Sequence, residues 1–345
     1  MGKKGAQETI RLEHSSLKYP LPKELLIELK QELSIMNEYP SGGTYQMLSD
    51  KLAEYVGVAP ENVLPANGSD EVIEAVTRAF GRQLILIPIP TFSQYEVSAD
   101  RNGFTKILIP CLQGYDYQLS YSDDVLKRAS LIWICNPNNP TGNSVCREDI
   151  QKILTKTSGI VVVDECNYEY LGETVVDLIE KFSNLVISRS FSKNFGLAGF
   201  RLGFAVSSST NISKILRYCQ HFRVNKMAEI AGIKVLKYLD YFQAIWQEVA
   251  MVRDQFIYGL QQLDIIAFPS KANFVLADFV TKENTKRVWQ YLREENVYTF
   301  AAWGEEFSGL DSHYIRFTIG SQQEMNYTLM LLDRYQKKFS SNSSI

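Results

Sequence analysis

Six short, continuous apolar runs recur between residues 84 and 206, and helical stretches separate several of them. The runs are Leu84–Ile87, Ile107–Ile109, Leu131–Cys135, Ile160–Val163, Leu185–Ser188 and Phe204–Val206. Strands without polar alternation belong in a mostly parallel sheet covered on both faces. The helical stretches Asp70–Phe80, Phe92–Arg101 and Arg147–Lys156 supply the covers. The expected fold class is therefore α/β. Upstream, Lys23–Ser34 reads as an amphipathic helix with leucines at 25, 26, 29 and 33. Tyr39-Pro40-Ser41-Gly42-Gly43 breaks it, and Tyr45–Val56 reads as another helix. Downstream, long helices over Lys226–Leu239 and Tyr241–Leu263 precede strand candidates Phe274–Ala277 and Ile315–Thr318. This predicts a large domain over residues 40–215. A smaller α+β domain is expected from residues 1–39 and 216–345.

Composition excludes several functions. A net charge of −3 gives no electrostatic case for nucleic acid or an anionic membrane surface. No apolar run is long enough for a membrane span. Met1–Gln7 lacks the apolar stretch of a signal peptide. Five scattered cysteines without C-x-x-C spacing read as reduced thiols of a cytoplasmic protein. The three histidines have no metal-ligand spacing, so no metal is expected. The serine-rich tail Ser340–Ser344 reads as disordered.

In sheets of this kind ligands sit at the carboxyl ends of the strands, and the unusual polar residues cluster there. Ser190-Phe191-Ser192-Lys193 follows the fifth run, and Arg201 lies eight residues beyond the lysine in Gly199-Phe200-Arg201-Leu202-Gly203. A lysine among hydroxyls, glycines and a guanidinium suits covalent capture of an aldehyde whose phosphate the loop holds. That points to pyridoxal phosphate (PLP) and amino-acid chemistry. A surface loop lysine is the plain alternative. Asn67-Gly68-Ser69-Asp70-Glu71 precedes a helix that Ser69 can cap, and a helix start is also an anion site. Cys135-Asn136-Pro137-Asn138-Asn139-Pro140-Thr141-Gly142 is a rigid turn with projecting amides. Asp164 ends a buried strand and needs a partner, either a salt bridge, a helix cap or a protonated ring nitrogen. Pro90-Thr91-Phe92-Ser93-Gln94-Tyr95 offers aromatic faces. Arg316 stands in an apolar strand, facing solvent or gripping a carboxylate.

Taken in order, these segments resemble fold-type I PLP enzymes of the class I and II aminotransferase group. The nearest likeness is to histidinol-phosphate aminotransferases and threonine-phosphate decarboxylases, over residues 20–335. The resemblance implies a large domain with a mostly parallel sheet and a smaller α+β domain. It implies that Lys193 binds the cofactor covalently and moves the substrate's α-proton. Asp164 would hold the ring nitrogen protonated, Asn139 would bond the ring's phenolic oxygen, and Tyr95 would stack on the ring. Ser69, Asp70, Ser190, Ser192 and Arg201 would surround the phosphate, Asp70 mainly through its backbone N–H. Tyr45 would reach the phosphate of a partner subunit in a homodimer with shared sites. Arg316 would bind the substrate carboxylate.

The chain departs from that pattern in places. Asn167 stands where the group commonly has a tyrosine bonding the phenolic oxygen, with Tyr168 one residue later. Ser15-Ser16-Leu17-Lys18 replaces an early Asn-x-Asn-Pro segment. Val297–Glu306 lacks the additional arginine of enzymes that take phosphorylated substrates, and Arg223 stands where uncharged residues are usual. Glu13, His14, Glu305 and Glu306 put acid near the expected substrate mouth. The expectation is an aminotransferase acting on an unphosphorylated amino acid, with a 2-keto acid as acceptor. A decarboxylase, other lyase, cyclase or oxidase on the same scaffold is the first alternative, and an inactive binding homologue the second. A nucleotide-binding enzyme is disfavoured, because no G-x-G-x-x-G or P-loop follows the first strand.

Overall fold

The computed structural model describes residues 9–302 and 307–340. The expectations for Met1–Gln7, for Glu305 and Glu306, and for the serine tail beyond residue 340 lie outside the described residues.

Seven strands form the large sheet. Across it they run Val63–Ala66, Gly203–Ser207, Leu185–Ser190, Ile160–Asp164, Leu131–Cys135, Ile85–Ile89 and Lys106–Pro110. The last five are mutually parallel. Gly203–Ser207 runs antiparallel to both its neighbours. All six apolar runs are strands. Val63–Ala66 is a seventh that the sequence pattern does not announce, because Pro65 interrupts it. It lies at the sheet's edge, where proline's missing N–H is tolerated.

The unbroken apolar runs have a simple cause: apart from the edge strand Lys106–Pro110, which is only half-buried, the strands carrying them bury both faces. Trp133, Val162 and Val186 point to one side and pack with helices Gly68–Phe80, Gln94–Arg101 and Ser209–Leu216. Ile132, Ile134, Val163 and Ile187 point to the other, where helices Arg147–Lys156 and Leu239–Gln262 contribute Ile150, Leu154 and Phe242. Burying a side chain of this size stabilises the fold by about 1.5–3 kcal/mol.

A second, five-stranded sheet has the order Ile10–Leu12, Val297–Ala301, Tyr314–Thr318, Phe274–Asp278, Ile266–Ala267. Ile10–Leu12 pairs in parallel with Val297–Ala301, so the start of the chain is tied to its far end. The first helix is shorter than its pattern suggests, ending at Gln31 before a 3-10 turn over Glu32–Ile35. It buries Leu25 and Leu29, whereas Leu26 and Leu33 remain exposed. Tyr238 donates to its Glu28 at 2.6 Å, and Lys234 pairs with the same carboxylate at 3.1 Å.

Candidate active site

Adjacent parallel strands end in register, with Cys135 opposite Asp164 and Asp164 opposite Ser188. Beyond those ends lies a pocket of about 150 Å³. Ser69, Asp70, Asn139, Asp164, Asn167, Ser190, Ser192, Lys193 and Arg201, all expected from the sequence, line it. So do Phe92 and Cys135, from the aromatic and rigid-turn segments, and Ser15 and Cys166, to which the sequence assigns no role.

The lysine loop is a hairpin connection. It leaves the parallel strand Leu185–Ser190 and returns along the antiparallel Gly203–Ser207. Two glycines let it close onto the helix Gly68–Phe80. A Cβ on Gly203 would stand 2.5 Å from Ser69 N, and one on Gly68, whose φ is +75°, would meet the Arg201 guanidinium. Ser69 does not cap that helix. Asn67 occupies the cap position without a side-chain bond, so the Ser69 hydroxyl stays available to the pocket. Arg201 pairs with the Asp70 carboxylate at 2.7 Å. Ser190 Oγ accepts from the Ser192 N–H at 3.1 Å.

Burial lowers the Lys193 pKa first, and the nearby Arg316 cation lowers it further. Burial raises Asp164, opposed by the donors of Cys166 and Tyr95. Arg316 lies in the strand Tyr314–Thr318, and burial alone pushes it down to about 10. Its Nη1 donates to Asn139 Oδ1 at 2.6 Å and its Nη2 to the Glu13 carbonyl at 3.1 Å. Nε is buried without a partner, and among the described residues no carboxylate pairs with this guanidinium.

Four expectations need correction. Tyr95 is not the ring-stacking residue. It is fully buried, parallel to Trp133 at 4.5 Å, and its hydroxyl donates to Asp164 Oδ2 at 2.6 Å. The aromatic ring in the pocket is Phe92. Tyr45 does not reach outward. It is sealed in the core, with its hydroxyl donating to the Val224 carbonyl at 3.0 Å and accepting that residue's N–H at 3.1 Å. The exposed tyrosine of that region is Tyr39, stacked on Phe222. Glu13 contributes its carbonyl, not its carboxylate, which pairs with Arg11 at 2.9 Å. His14 is exposed and does not line the pocket. The substituted segment nonetheless reaches the site through Ser15.

Tyr168 does not replace the tyrosine missing at Asn167. Its ring lies under Arg189, at 3.6 Å, and its hydroxyl meets that of Tyr55 at 2.9 Å. Arg189 is in turn paired with buried Glu165 at 2.8 Å. Arg223, another unexpected charge, is buried, donates to the Pro65 carbonyl at 2.6 Å and covers the Tyr45 ring.

The sequence profile of the family described as aminotransferase class I and II matches residues 8–331. The chain belongs to this family. A histidinol-phosphate aminotransferase of Thermoanaerobacter sp. (strain X514) is 33% identical over 330 residues, covering 92% of this chain and 91% of that protein. Among solved structures, the L-threonine-O-3-phosphate decarboxylase of Porphyromonas gingivalis shares the fold, with a TM-score of 0.84 and 24% identity. The match covers 95% of this chain and 99% of that one. So does the histidinol-phosphate aminotransferase of Sinorhizobium meliloti in complex with pyridoxal-5'-phosphate, with a TM-score of 0.81 and 18% identity. That match covers 95% of this chain and 91% of the other.

The cofactor of this aminotransferase is PLP, and the pocket fits it. Ser192 Oγ and Asn167 Oδ1 are buried there without partners. Such orphaned groups are costly unless a ligand satisfies them. The Ser192 hydroxyl can donate to a ligand oxygen and Asn167 Oδ1 can accept from a ligand donor, while Asp164 suits a protonated ring nitrogen and Lys193 an aldehyde.

Proposed function

We propose that this aminotransferase takes the amino group from a small anionic amine and passes it to a 2-keto acid. A phosphorylated amine such as histidinol phosphate is the first candidate donor. The observation that carries this is Arg316, a buried guanidinium with no acidic partner among the described residues, bonded to the pocket residue Asn139. A buried cation of this kind calls for an anionic ligand, and its fork suits a carboxylate or phosphate. The lack of arginine in Val297–Glu306 favours an unphosphorylated substrate. The histidinol-phosphate aminotransferase that is 33% identical over most of the chain weighs the other way.

When bound, PLP supplies an aldehyde that takes up amines and a ring that withdraws electrons from the substrate's α-carbon. The chain does the rest. Lys193 Nζ holds the cofactor covalently. Burial and Arg316 lower the pKa of its amine, which favours the base form that would take and return the α-proton. Asp164, oriented by Tyr95 and the Cys166 N–H, holds the proton of the ring nitrogen. Ser69, Ser190, Ser192 and the N–H groups at the start of helix Gly68–Phe80 receive the phosphate. Phe92 would cover a ring face, and Asn167 would meet polar atoms of the cofactor. Arg316 and Asn139 orient the donor.

The reading includes a homodimer, supported by exposed Leu33, Tyr39, Met47 and Phe222, which are large apolar groups on this surface. It also includes a cytoplasmic location, supported by five free cysteines. Among the described residues no helix is long and apolar enough to cross a membrane.

The test is a competition. The PLP-loaded chain receives histidinol phosphate and a panel of free amino acids, with and without 2-oxoglutarate, and products are read by mass spectrometry. Keto-group formation from histidinol phosphate that requires 2-oxoglutarate is expected. Preference for a free amino acid would reverse the substrate proposal, and carbon dioxide released without any acceptor would replace transamination by decarboxylation.

A further inference from the structure

Behind the lysine loop, away from the cofactor pocket, lies a second cleft of about 330 Å³. Tyr168, Glu169, Gln243, Trp246 and Gln247 line it, between the short helix Tyr168–Leu171 and the long helix Leu239–Gln262. Transamination as argued above does not use it. Yet side chains around it hold the peptide that carries Lys193. Tyr170 Oη donates to the Lys193 carbonyl at 2.9 Å. Trp246 Nε1 donates to the Asn194 carbonyl at 2.8 Å. Asn194 Nδ2 donates both to the Cys166 carbonyl, at 3.1 Å, and to the Glu169 carboxylate. Cys166 lines the cofactor pocket. One amide thus joins the pocket wall to the rear cleft.

Asn194 Oδ1 is buried and has no partner. An ionised Glu169 only accepts, so it takes Nδ2, and the same Nδ2 reaches Cys166. A protonated Glu169 has an O–H to give, and Oδ1 is the acceptor beside it that lacks a donor. Turning the amide to receive that proton releases the Cys166 carbonyl. The two charge states of Glu169 therefore favour two orientations of Asn194.

Burial pushes the Glu169 carboxyl up to about 8, while Arg189 and the Tyr55 hydroxyl act to lower it. The groups facing it are known from every side. Helix Gln46–Val56 brings Tyr55, whose hydroxyl donates to Glu169 at 3.1 Å. The sheet side brings Arg189 and Glu165, and its own helix brings Tyr168. Helix Leu239–Gln262 brings Gln243, Gln247 and Trp246, none of which titrates.

We propose that Glu169 is a positioning residue for Lys193, acting through the Asn194 amide to set the lysine loop against the Cys166 carbonyl according to its own charge. The inference rests on the reading of Lys193 as the cofactor-bearing lysine.

The indole N–H of Trp246 reports on the Asn194 carbonyl, so the experiment follows that signal by nuclear magnetic resonance. The full chain, with and without PLP, is titrated with base, and the signal is assigned with Trp246→Phe. In the parent it shifts with a midpoint near 8, and the visible absorption of the loaded chain carries a component with the same midpoint. Glu169→Gln holds both at their low-pH positions. Asn194→Ala leaves Glu169 in place and removes the shared component from the absorption. An indole titration that survives in Glu169→Gln overturns the proposal. So does an absorption profile of Glu169→Gln that matches the parent's. An absorption spectrum unaffected by Lys193→Ala refutes the cofactor reading instead. The indole titration of the PLP-free chain then still decides whether Glu169 governs Asn194.

Discussion

Replacing Tyr95 by phenylalanine probes the floor of the active site. The substitution keeps the ring parallel to Trp133 and deletes the hydroxyl that donates to Asp164 Oδ2 at 2.6 Å. Both partners are buried, and Asp164 keeps the Cys166 donors, its side chain and its N–H, the latter at 3.1 Å on Oδ1. A hydrogen bond to a charged group contributes about 1.5–3 kcal/mol, and one between neutral groups about 0.5–1.5 kcal/mol. The gap of roughly 1 kcal/mol raises the already elevated Asp164 further, by somewhat under one pH unit. The sign follows from proton counting. A carboxyl raised above its unfolded value holds extra protons in the folded chain, so stability falls as pH climbs between the two values. Raising it further carries that fall to higher pH. The variant should therefore cost about 1 kcal/mol in acid, where Asp164 is protonated, and about 2 kcal/mol once it is ionised. Urea denaturation of the PLP-free chain, with one curve per pH from about 4 to about 8, measures the difference. A cost that is the same at every pH would show that the hydroxyl does not hold the carboxylate. No cost at all would show that the bond is not formed.

Three further outcomes follow from the geometry. Phe92→Ala removes the aromatic face from the pocket and should weaken PLP binding by roughly 1–2 kcal/mol, read by cofactor titration, whereas Tyr95→Phe leaves that face intact. Arg316→Lys keeps a cation but loses the fork that spans Asn139 and Glu13. The donor's KM should rise about tenfold or more while PLP affinity stays at the parent value, in steady-state assays paired with cofactor titration. Glu169 is raised to about 8, so its contribution to stability falls through the window between the ordinary carboxylate range and that value. Glu169→Gln should flatten that fall, which amounts to on the order of 1.4 kcal/mol per pH unit, in urea curves across the same window.

The inner strands of the large sheet are legible because they bury both faces and so read as unbroken apolar runs. Val63–Ala66 escapes because Pro65 interrupts its run, and Val297–Ala301 because only alternate residues are buried. Lys193, Asp164, Ser192 and Asn139 are legible because a strand end or a tight loop fixes where they point. Phe92 and Tyr95 are not separable in advance. They lie three residues apart, Phe92 just before the helix Gln94–Arg101 and Tyr95 in its first turn, and which ring faces the pocket depends on how that helix meets Trp133. Tyr45 misleads for a related reason. Its left-handed backbone, with φ at 54°, turns the ring inward toward Val224. The link from Asn194 to Glu169 joins residues 25 positions apart and leaves no local signal.

The antiparallel return of Gly203–Ser207 has a consequence for how substrate enters. Both legs of the Lys193 hairpin are stitched into the middle of the large sheet, and Gly203 presses against the backbone of Gly68 and Ser69. Lifting that hairpin would unzip two ladders at once. From the opposite side the five-stranded sheet reaches across by separate bonds: Arg316 to Asn139 Oδ1 at 2.6 Å, the Lys271 N–H to the Gly142 carbonyl at 2.8 Å, and Tyr115 Oη to Asp278 at 2.9 Å. Lys193 therefore sits on the firmly laddered wall of the pocket. Opening the pocket for substrate should part those bonds before it disturbs the ladders, so turnover should be paced by how readily they part and re-form.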